Sequence, residues 1–292
     1  MPPMLGAMRL PFLLLAVVCV ALGAAVAAPP RDGLVLLLVT VGALAAHAAV
    51  NLLNEWHDFR SGLDLRTTRT PFSGGSGALP AQPQAAAGVL ALGVLLMALC
   101  GGIGLWLLQR SPGLLPYGVV GLALVVGYTP WITHRPWLCL LAPGLGFGPL
   151  MTAGTAVALN GAASAGALLV SLMPMALASG LLLLNQFPDV DADRTVGRRH
   201  LPMLRGRAWA ARLLAGLFVV AYAAPVAGVL AGVLPAGVLL CGLTVPLALV
   251  VARGAHRHAD DIPALLPTMA RNVALTLATP LLAALGLWWM PA

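Results

Sequence analysis

Residues 54–64 read NEWHDFRSGLD, and they close an apolar run that begins near Leu34. Such a run, about twenty residues long, can cross roughly 30 Å of hydrocarbon as a helix at about 1.5 Å per residue. The chain has 292 residues and nine acidic side chains. Three of those acids, Glu55, Asp58 and Asp64, stand in this one stretch. Carboxylates gathered where a helix leaves the bilayer are costly if buried, and they read either as solvated helix ends paired with neighbouring arginines or as ligands for a cation or polar group.

Working outward, the rest of the chain has the same character. Sixty per cent of the residues are hydrophobic and 9% are charged, against about a quarter charged in a soluble domain. Apolar runs recur along the whole length, and no soluble domain is left over. The composition predicts an all-α polytopic bundle forming one integral-membrane domain over 1–292. The sixteen basic residues are all arginine. They form no basic helix face and no aromatic–basic interleaving, so nucleic acid is not a partner. Cys19, Cys100, Cys139 and Cys241 lie in apolar runs without metal-ligand spacing and read as small hydrophobes.

Nine spans are expected, at 10–28, 34–53, 84–108, 114–133, 138–158, 164–187, 208–230, 233–252 and 272–290. The first could be a signal peptide, but it is also long enough to span, and the remaining topology works best with it retained as the first helix. Three connections are long: 54–83, 188–207 and 253–271. Arginines concentrate in these three and in the loops on the same side, with Arg31 and Arg110 opposite. The positive-inside rule places that side in the cytoplasm together with the N-terminus, in a bacterial-type inner membrane. Trp288 and Trp289 read as an interfacial belt on the other side.

The second acid cluster lies in NQFPDVDADRTVGRR at 185–199, with Asp189, Asp191 and Asp193. Both clusters follow a span, begin with Asn and repeat N-x-x-x-D, which hints at two related halves. On a helix Asn54 and Asp58 share a face. Gly62 ends that helix before Asp64. Asn185, Asp189 and Asp193 share a face if the helix continues past Pro188, where a kink is expected. Asp191 then points about 200° away from Asp189. Paired carboxylates suit Mg²⁺, which takes oxygen ligands and commonly one or two carboxylates plus substrate phosphates. Arg60, Arg66, Arg69, Arg194, Arg198 and Arg199 flank the acids and suit a diphosphate. The run Ser73–Gly77 reads either as a nest of backbone N–H groups for phosphate or as a flexible turn.

These motifs resemble the UbiA superfamily of intramembrane aromatic prenyltransferases. The resemblance covers nearly the whole chain. NEWHDFRSGLD, RTPFSGGSGALP at 69–80, GYTPWI at 127–132 and GLGFGPLMTAG at 144–154 are similar to the branch containing 1,4-dihydroxy-2-naphthoate prenyltransferases. NQFPDVDADRTVGRRHLP at 185–202 is similar to the second family motif. Three departures stand out. Glu55 replaces the first Asp of the family's N-D-x-x-D, Arg198 and Arg199 stand where the family often has Lys, and the family's Gly-Glu pair in the fifth-helix segment is absent.

The resemblance implies nine transmembrane helices, Mg²⁺, an isoprenyl diphosphate donor and an aromatic, quinone-precursor-like acceptor. It implies metal-holding roles for Asp58, Asp64, Asp189 and Asp193, with Asn54 and Asn185 orienting ligands. The arginines above and Ser73 would bind diphosphate. An allylic cation would need electron-rich walls, for which Tyr128, Phe147 and Trp56 are candidates. His57 beside Asp58 reads as a base or as incidental. Two other readings stay open: a membrane terpene cyclase of the same fold, and a cation-coupled transporter, which charges gathered at one face disfavour.

Overall fold

The computed structural model describes residues 3–290, and among them there is no β-strand. A short helix α1 (Pro3–Met8) meets α2 (Leu10–Val26) at Arg9, and α3 (Gly33–Arg60) follows. Then come α4 (Ala78–Ala81), α5 (Ala86–Leu108) and α6 (Leu115–Gly127). The next crossing element is composite: α7 (Pro136–Leu145), a π-helical stretch Gly146–Ala153, and α8 (Gly154–Asn160). The chain continues through α9 (Ala165–Asn185), two short helices α10 (Val190–Arg194) and α11 (Leu201–Arg205), and α12 (Arg207–Leu230). A 3₁₀ run Ala236–Thr244 leads into α13 (Val245–Arg257), and α14 (Ile262–Trp289) completes the bundle.

Among the described residues, seven helical segments are long and apolar enough to cross a membrane. The remaining two expected spans form the shorter apolar helices Leu10–Val26 and Pro112–Gly127. Large side chains such as Leu37, Leu95, Leu105, Val219 and Leu243 are exposed around the bundle. A water-facing surface rarely carries so much exposed apolar area, whereas lipid solvates it at no cost.

Local chemistry sets the helix starts. Asp32 caps α3 by accepting from the Leu34 and Val35 amides at 2.8 and 3.1 Å. Ser164 caps α9 through Ala167 N at 3.1 Å, and Asp261 caps α14 through Ala264 N at 3.1 Å. Such caps satisfy amides that the helix itself leaves without partners.

Two expectations need correction. The connection 253–271 is not a long loop, because α13 runs to Arg257 and α14 starts at Ile262. Only a four-residue turn, 258–261, separates them. The polar residues there lower the hydropathy without ending the helices, since charged side chains at helix ends reach into the headgroup layer. The helix bearing Asn185 also does not continue through Pro188. Instead of the kink expected at Pro188, it stops at Asn185, passes through a turn, and restarts as α10, a break to which the missing proline N–H contributes.

The main core joins α9, α12 and α14, where Met173, Leu177, Leu214, Leu265 and Leu275 are fully buried. A smaller cluster of Leu52, Leu79 and Val89 fixes α3 to α4 and α5. The composite element lies tightly on α9. A Cβ on Gly144 would stand 2.4 Å from Met175 O, and one on Gly148 2.4 Å from Ser171 O. This Gly-x-x-x-Gly pair lets two backbones approach as only small residues permit. A cavity of about 670 Å³ remains between α3, α5 and α6 on one side and the composite element with α9 on the other. Its walls follow α3 from Asp58 to Val39, roughly 28 Å at 1.5 Å per residue.

Candidate active site

Both acid clusters meet at one end of this cavity. The last turns of α3 present Asn54 and Asp58 to it. Asn54 Nδ2 donates to Thr129 Oγ1 at 3.2 Å. Gly62, at φ 76°, ends the helix as expected, and a single 3₁₀ turn, Leu63–Leu65, brings Asp64 back to the cavity. From the other arm Asn185, Asp189 and Asp193 all line the same space despite the break between α9 and α10. Asp193 N donates to Asp189 O at 2.9 Å, which carries the register across that break. Asp191 turns outward and is exposed, 3.9 Å from Arg194.

Arg198 joins the two arms. Its guanidinium donates to Asp58 Oδ1 and to Asp193 Oδ1, the latter at 3.1 Å. It is largely buried, with 15% of its side chain exposed. Burial works against its charge, yet the Asp58 and Asp193 carboxylates outweigh that and hold it charged more firmly than an ordinary arginine. His200 Nε2 lies 3.1 Å from Asp193 Oδ2 but out of line for a hydrogen bond.

A glycine-rich loop covers this end. Thr70 Oγ1 accepts from the Phe72 and Ser73 amides at 3.2 and 3.0 Å, closing a turn. Gly74 and Gly75 then adopt φ 82° and 75°, which only glycine does without strain. Ser73, Gly74 and Gly75 line the cavity. A Cβ on Gly75 would stand 2.6 Å from Asp64 Oδ1. Glu55 anchors the loop from behind. It is fully buried, accepts from Ser76 N at 3.1 Å, bonds the Ser76 hydroxyl, and lies 3.6 Å from Arg9 Nη2.

Burial raises Asp64 to about 7, and the Glu55 and Asp58 charges add to it. Burial likewise raises Asp189 to about 7 and Asp193 adds to it, while the Gly74 amide and Ser73 hydroxyl pull the other way. Three buried oxygens at this end have no hydrogen-bond partner: Asp64 Oδ2, Asn185 Oδ1 and Asp189 Oδ1. Buried polar atoms are normally satisfied. Hard oxygens left without partners suit Mg²⁺. No group of three or more His, Cys, Asp or Glu among the described residues is close enough to hold a metal alone. Mg²⁺ needs fewer, because water and phosphate supply the rest.

The structure brings Asn54, Asp58, Asp64, Ser73, Asn185, Asp189, Asp193, Arg198, Tyr128 and Phe147 to the cavity wall. It does not bring Trp56, Arg60, Arg66, Arg69, Arg194 or Arg199 there. Trp56 packs beside Leu52, Leu79 and Val89, with the Arg60 guanidinium 5.7 Å from its ring centre. Trp56 and Arg60 stand two residues before and after Asp58, about 200° around the helix, and so turn away from its face. Arg69 lies against Gly77 behind the loop. Arg194 and Arg199 are exposed, and Arg199 contributes its backbone N–H to Thr133 O at 3.0 Å. Sequence reasoning did not single out Arg9, Asn51 or His200, all of which line the cavity.

Comparison with known proteins agrees with this geometry. The family model for the UbiA prenyltransferase family matches residues 15–265. The 1,4-dihydroxy-2-naphthoate octaprenyltransferase of Bacillus subtilis (strain 168) is 27% identical over 227 residues, which are 76% of this chain and 71% of that protein. Among solved structures, the apo form of a UbiA homolog from Aeropyrum pernix K1 superposes with a TM-score of 0.69 at 21% identity, covering 95% of this chain and 97% of that one. A UbiA homolog from Archaeoglobus fulgidus bound to DMAPP and Mg²⁺ gives 0.59 at 12% identity, covering 96% and 98%. With its two acid clusters facing each other across Arg198 at the head of an apolar cavity, this chain belongs to the UbiA prenyltransferase family.

Proposed function

We propose that the protein transfers an isoprenyl chain from a prenyl diphosphate to an aromatic, quinone-precursor-like acceptor inside the membrane. The observation that carries this reading is the cavity itself. One end holds four aspartates and a buried arginine, and the remaining walls are almost wholly apolar. A diphosphate with a long hydrocarbon tail has the same division of character.

Asp64, Asp189 and the Asn185 carbonyl would hold Mg²⁺, with Asp58 and Asp193 beside them on Arg198. The metal supplies charge neutralisation for the leaving diphosphate. Arg198 faces the same space and can donate to phosphate oxygens as the allylic C1–O bond breaks and negative charge grows on them. Gly75 lines the same space, where its amide can reach those oxygens, while the Gly74 amide favours the Asp189 carboxylate. Tyr128 and Phe147 present rings to the cavity, able to face the allylic cation and exclude water. The electron-rich acceptor ring attacks C1, the new C–C bond replaces the broken C–O bond, and the attacked ring carbon gives up its proton to the released diphosphate or solvent unless it carries a carboxylate. With a naphthoate acceptor the ring then loses its carboxylate as CO₂. In this reading the two shorter apolar helices also cross, giving nine crossings within one domain. The arginine-rich acid end faces the cytoplasm of a bacterial-type inner membrane.

The test is a membrane assay with radiolabelled prenyl diphosphates of several lengths, Mg²⁺ and a panel of aromatic acids. The expected result is a labelled adduct with one acceptor, lost with EDTA and with Asp189→Ala. Diphosphate release without adduct from every acceptor would instead indicate internal cyclisation. A folded protein that releases no diphosphate from any donor would overturn the enzyme reading.

A further inference from the structure

We propose that Arg9, at the hinge between α1 and α2, is a second diphosphate-binding arginine of this site, with Glu55 as its positioning partner rather than a metal-site acid. This rests on the prenyl diphosphate reading above. Of the sixteen arginines, only Arg9 and Arg198 line the cavity among the described residues. Arg198 is already engaged by Asp58 and Asp193. The Arg9 guanidinium makes no hydrogen bond among the described residues, and its Nε is buried without a partner. Its charged neighbour is Glu55, 3.6 Å away, and both oxygens of Glu55 are already bonded to Ser76. Arg9 therefore keeps a planar fork of donors beside the aspartate cluster, the geometry that grips phosphate in pairs.

The backbone points the same way. Arg9 is the one non-glycine residue with positive φ among the described residues, at φ 54° and ψ 52°. An arginine held in the left-handed region is a cost that glycine would avoid, and such strain gathers at ligand clamps. The hinge is also pinned. Asn51 Nδ2, from the cavity face of α3, donates to Met8 O at 3.0 Å. Glu55 then ties Arg9 and the glycine-rich loop to the same turn of α3, so both phosphate-facing elements share one support.

The experiment measures binding of inorganic pyrophosphate with Mg²⁺ to the purified protein in detergent, alongside the KM values for donor and acceptor. Arg9→Gly keeps the backbone conformation and removes the guanidinium. It is expected to weaken pyrophosphate binding and raise the donor KM by about tenfold or more, as for a lost charged hydrogen bond, with acceptor KM unchanged. Arg9→Lys should recover part of the loss, and the distant Arg253→Ala should lose none. Unchanged pyrophosphate binding in Arg9→Gly would overturn the proposal. So would recovery of an Arg9→Gln defect by adding Glu55→Gln, because Arg9 would then serve only to neutralise Glu55. If Arg9→Gly weakens pyrophosphate binding but the wild type releases no diphosphate from any prenyl donor, this assignment stands and the prenyl-transfer reading falls.

Discussion

Arg198 sits where two carboxylates would otherwise face each other out of water. Asp58 and Asp193 come from separate arms of the chain, and neither has more than a tenth of its side chain exposed. Removing one partner of a buried ion pair leaves the other charge unpaired, which costs about 3–5 kcal/mol. Arg198→Ala should therefore lower the melting temperature in detergent and abolish prenyl transfer. Adding Asp193→Asn should restore part of the stability but none of the activity. A variant that melts like the wild type would show that the triad is solvated and not a strut. The paired acids were legible in the sequence because both motifs place Asn and Asp four residues apart. The division of labour among their neighbours was not. Glu55 follows Asn54 by one residue, about 100° around the helix, and so turns from the cavity to Ser76 and Arg9. That phase was readable at Glu55. Arg9 was not readable, because its place depends on a left-handed hinge and on contacts 46 residues along the chain.

At the scale of elements, the glycine-rich loop depends on backbone shape more than on side chains. Gly75 combines φ 75° with the close approach of Asp64. Gly75→Ala would impose a left-handed strain of about 1–3 kcal/mol and push on the Asp64 carboxylate. The expected result is a donor KM raised about tenfold or more with the acceptor KM little changed, since the loop touches only the acid end of the cavity. An equal rise in both KM values would place the defect in the whole bundle. Ser76→Ala removes one of the two bonds from Glu55 and should give a smaller effect of the same sign, about 1 kcal/mol for a single hydrogen bond. Sequence reading placed the apolar segments well, because a lipid-facing helix announces itself by hydropathy. It shortened α14 by ten residues, taking 272 as its start where Ile262 begins it. The missed signal was Asp261 followed by Pro263, a cap with proline in the first turn. The π-helical stretch was not legible, because it follows from two prolines, Pro143 and Pro149, acting together with close packing on α9.

For the whole molecule, the two arms bring ionisable groups from outside the spans into one poorly hydrated place. Asp64 and Asp189 both rise to about 7, chiefly by burial. A carboxyl raised in the folded state binds protons that the unfolded chain has already released. Without a cation these two groups therefore weaken the fold as pH rises from the ordinary carboxylate range, about 4, to about 7, and no further above it. Mg²⁺ with pyrophosphate requires the deprotonated oxygens, so its binding has the opposite dependence. Each carboxylate costs about 1.4 kcal/mol of binding for every pH unit below its pKa. The melting temperature gained on adding Mg²⁺ and pyrophosphate should thus be small at pH 6, grow through pH 7 and level off by pH 8, and EDTA should remove it at every pH. Pyrophosphate itself titrates in this region, so the deciding comparison is Asp64→Asn with Asp189→Asn. If the two carboxylates set the dependence, that pair of changes flattens the curve to whatever pyrophosphate alone contributes. A slope unchanged in the double variant would place the proton-linked ligands elsewhere, leaving Asp58 and Asp193, released from Arg198, as the groups to test next.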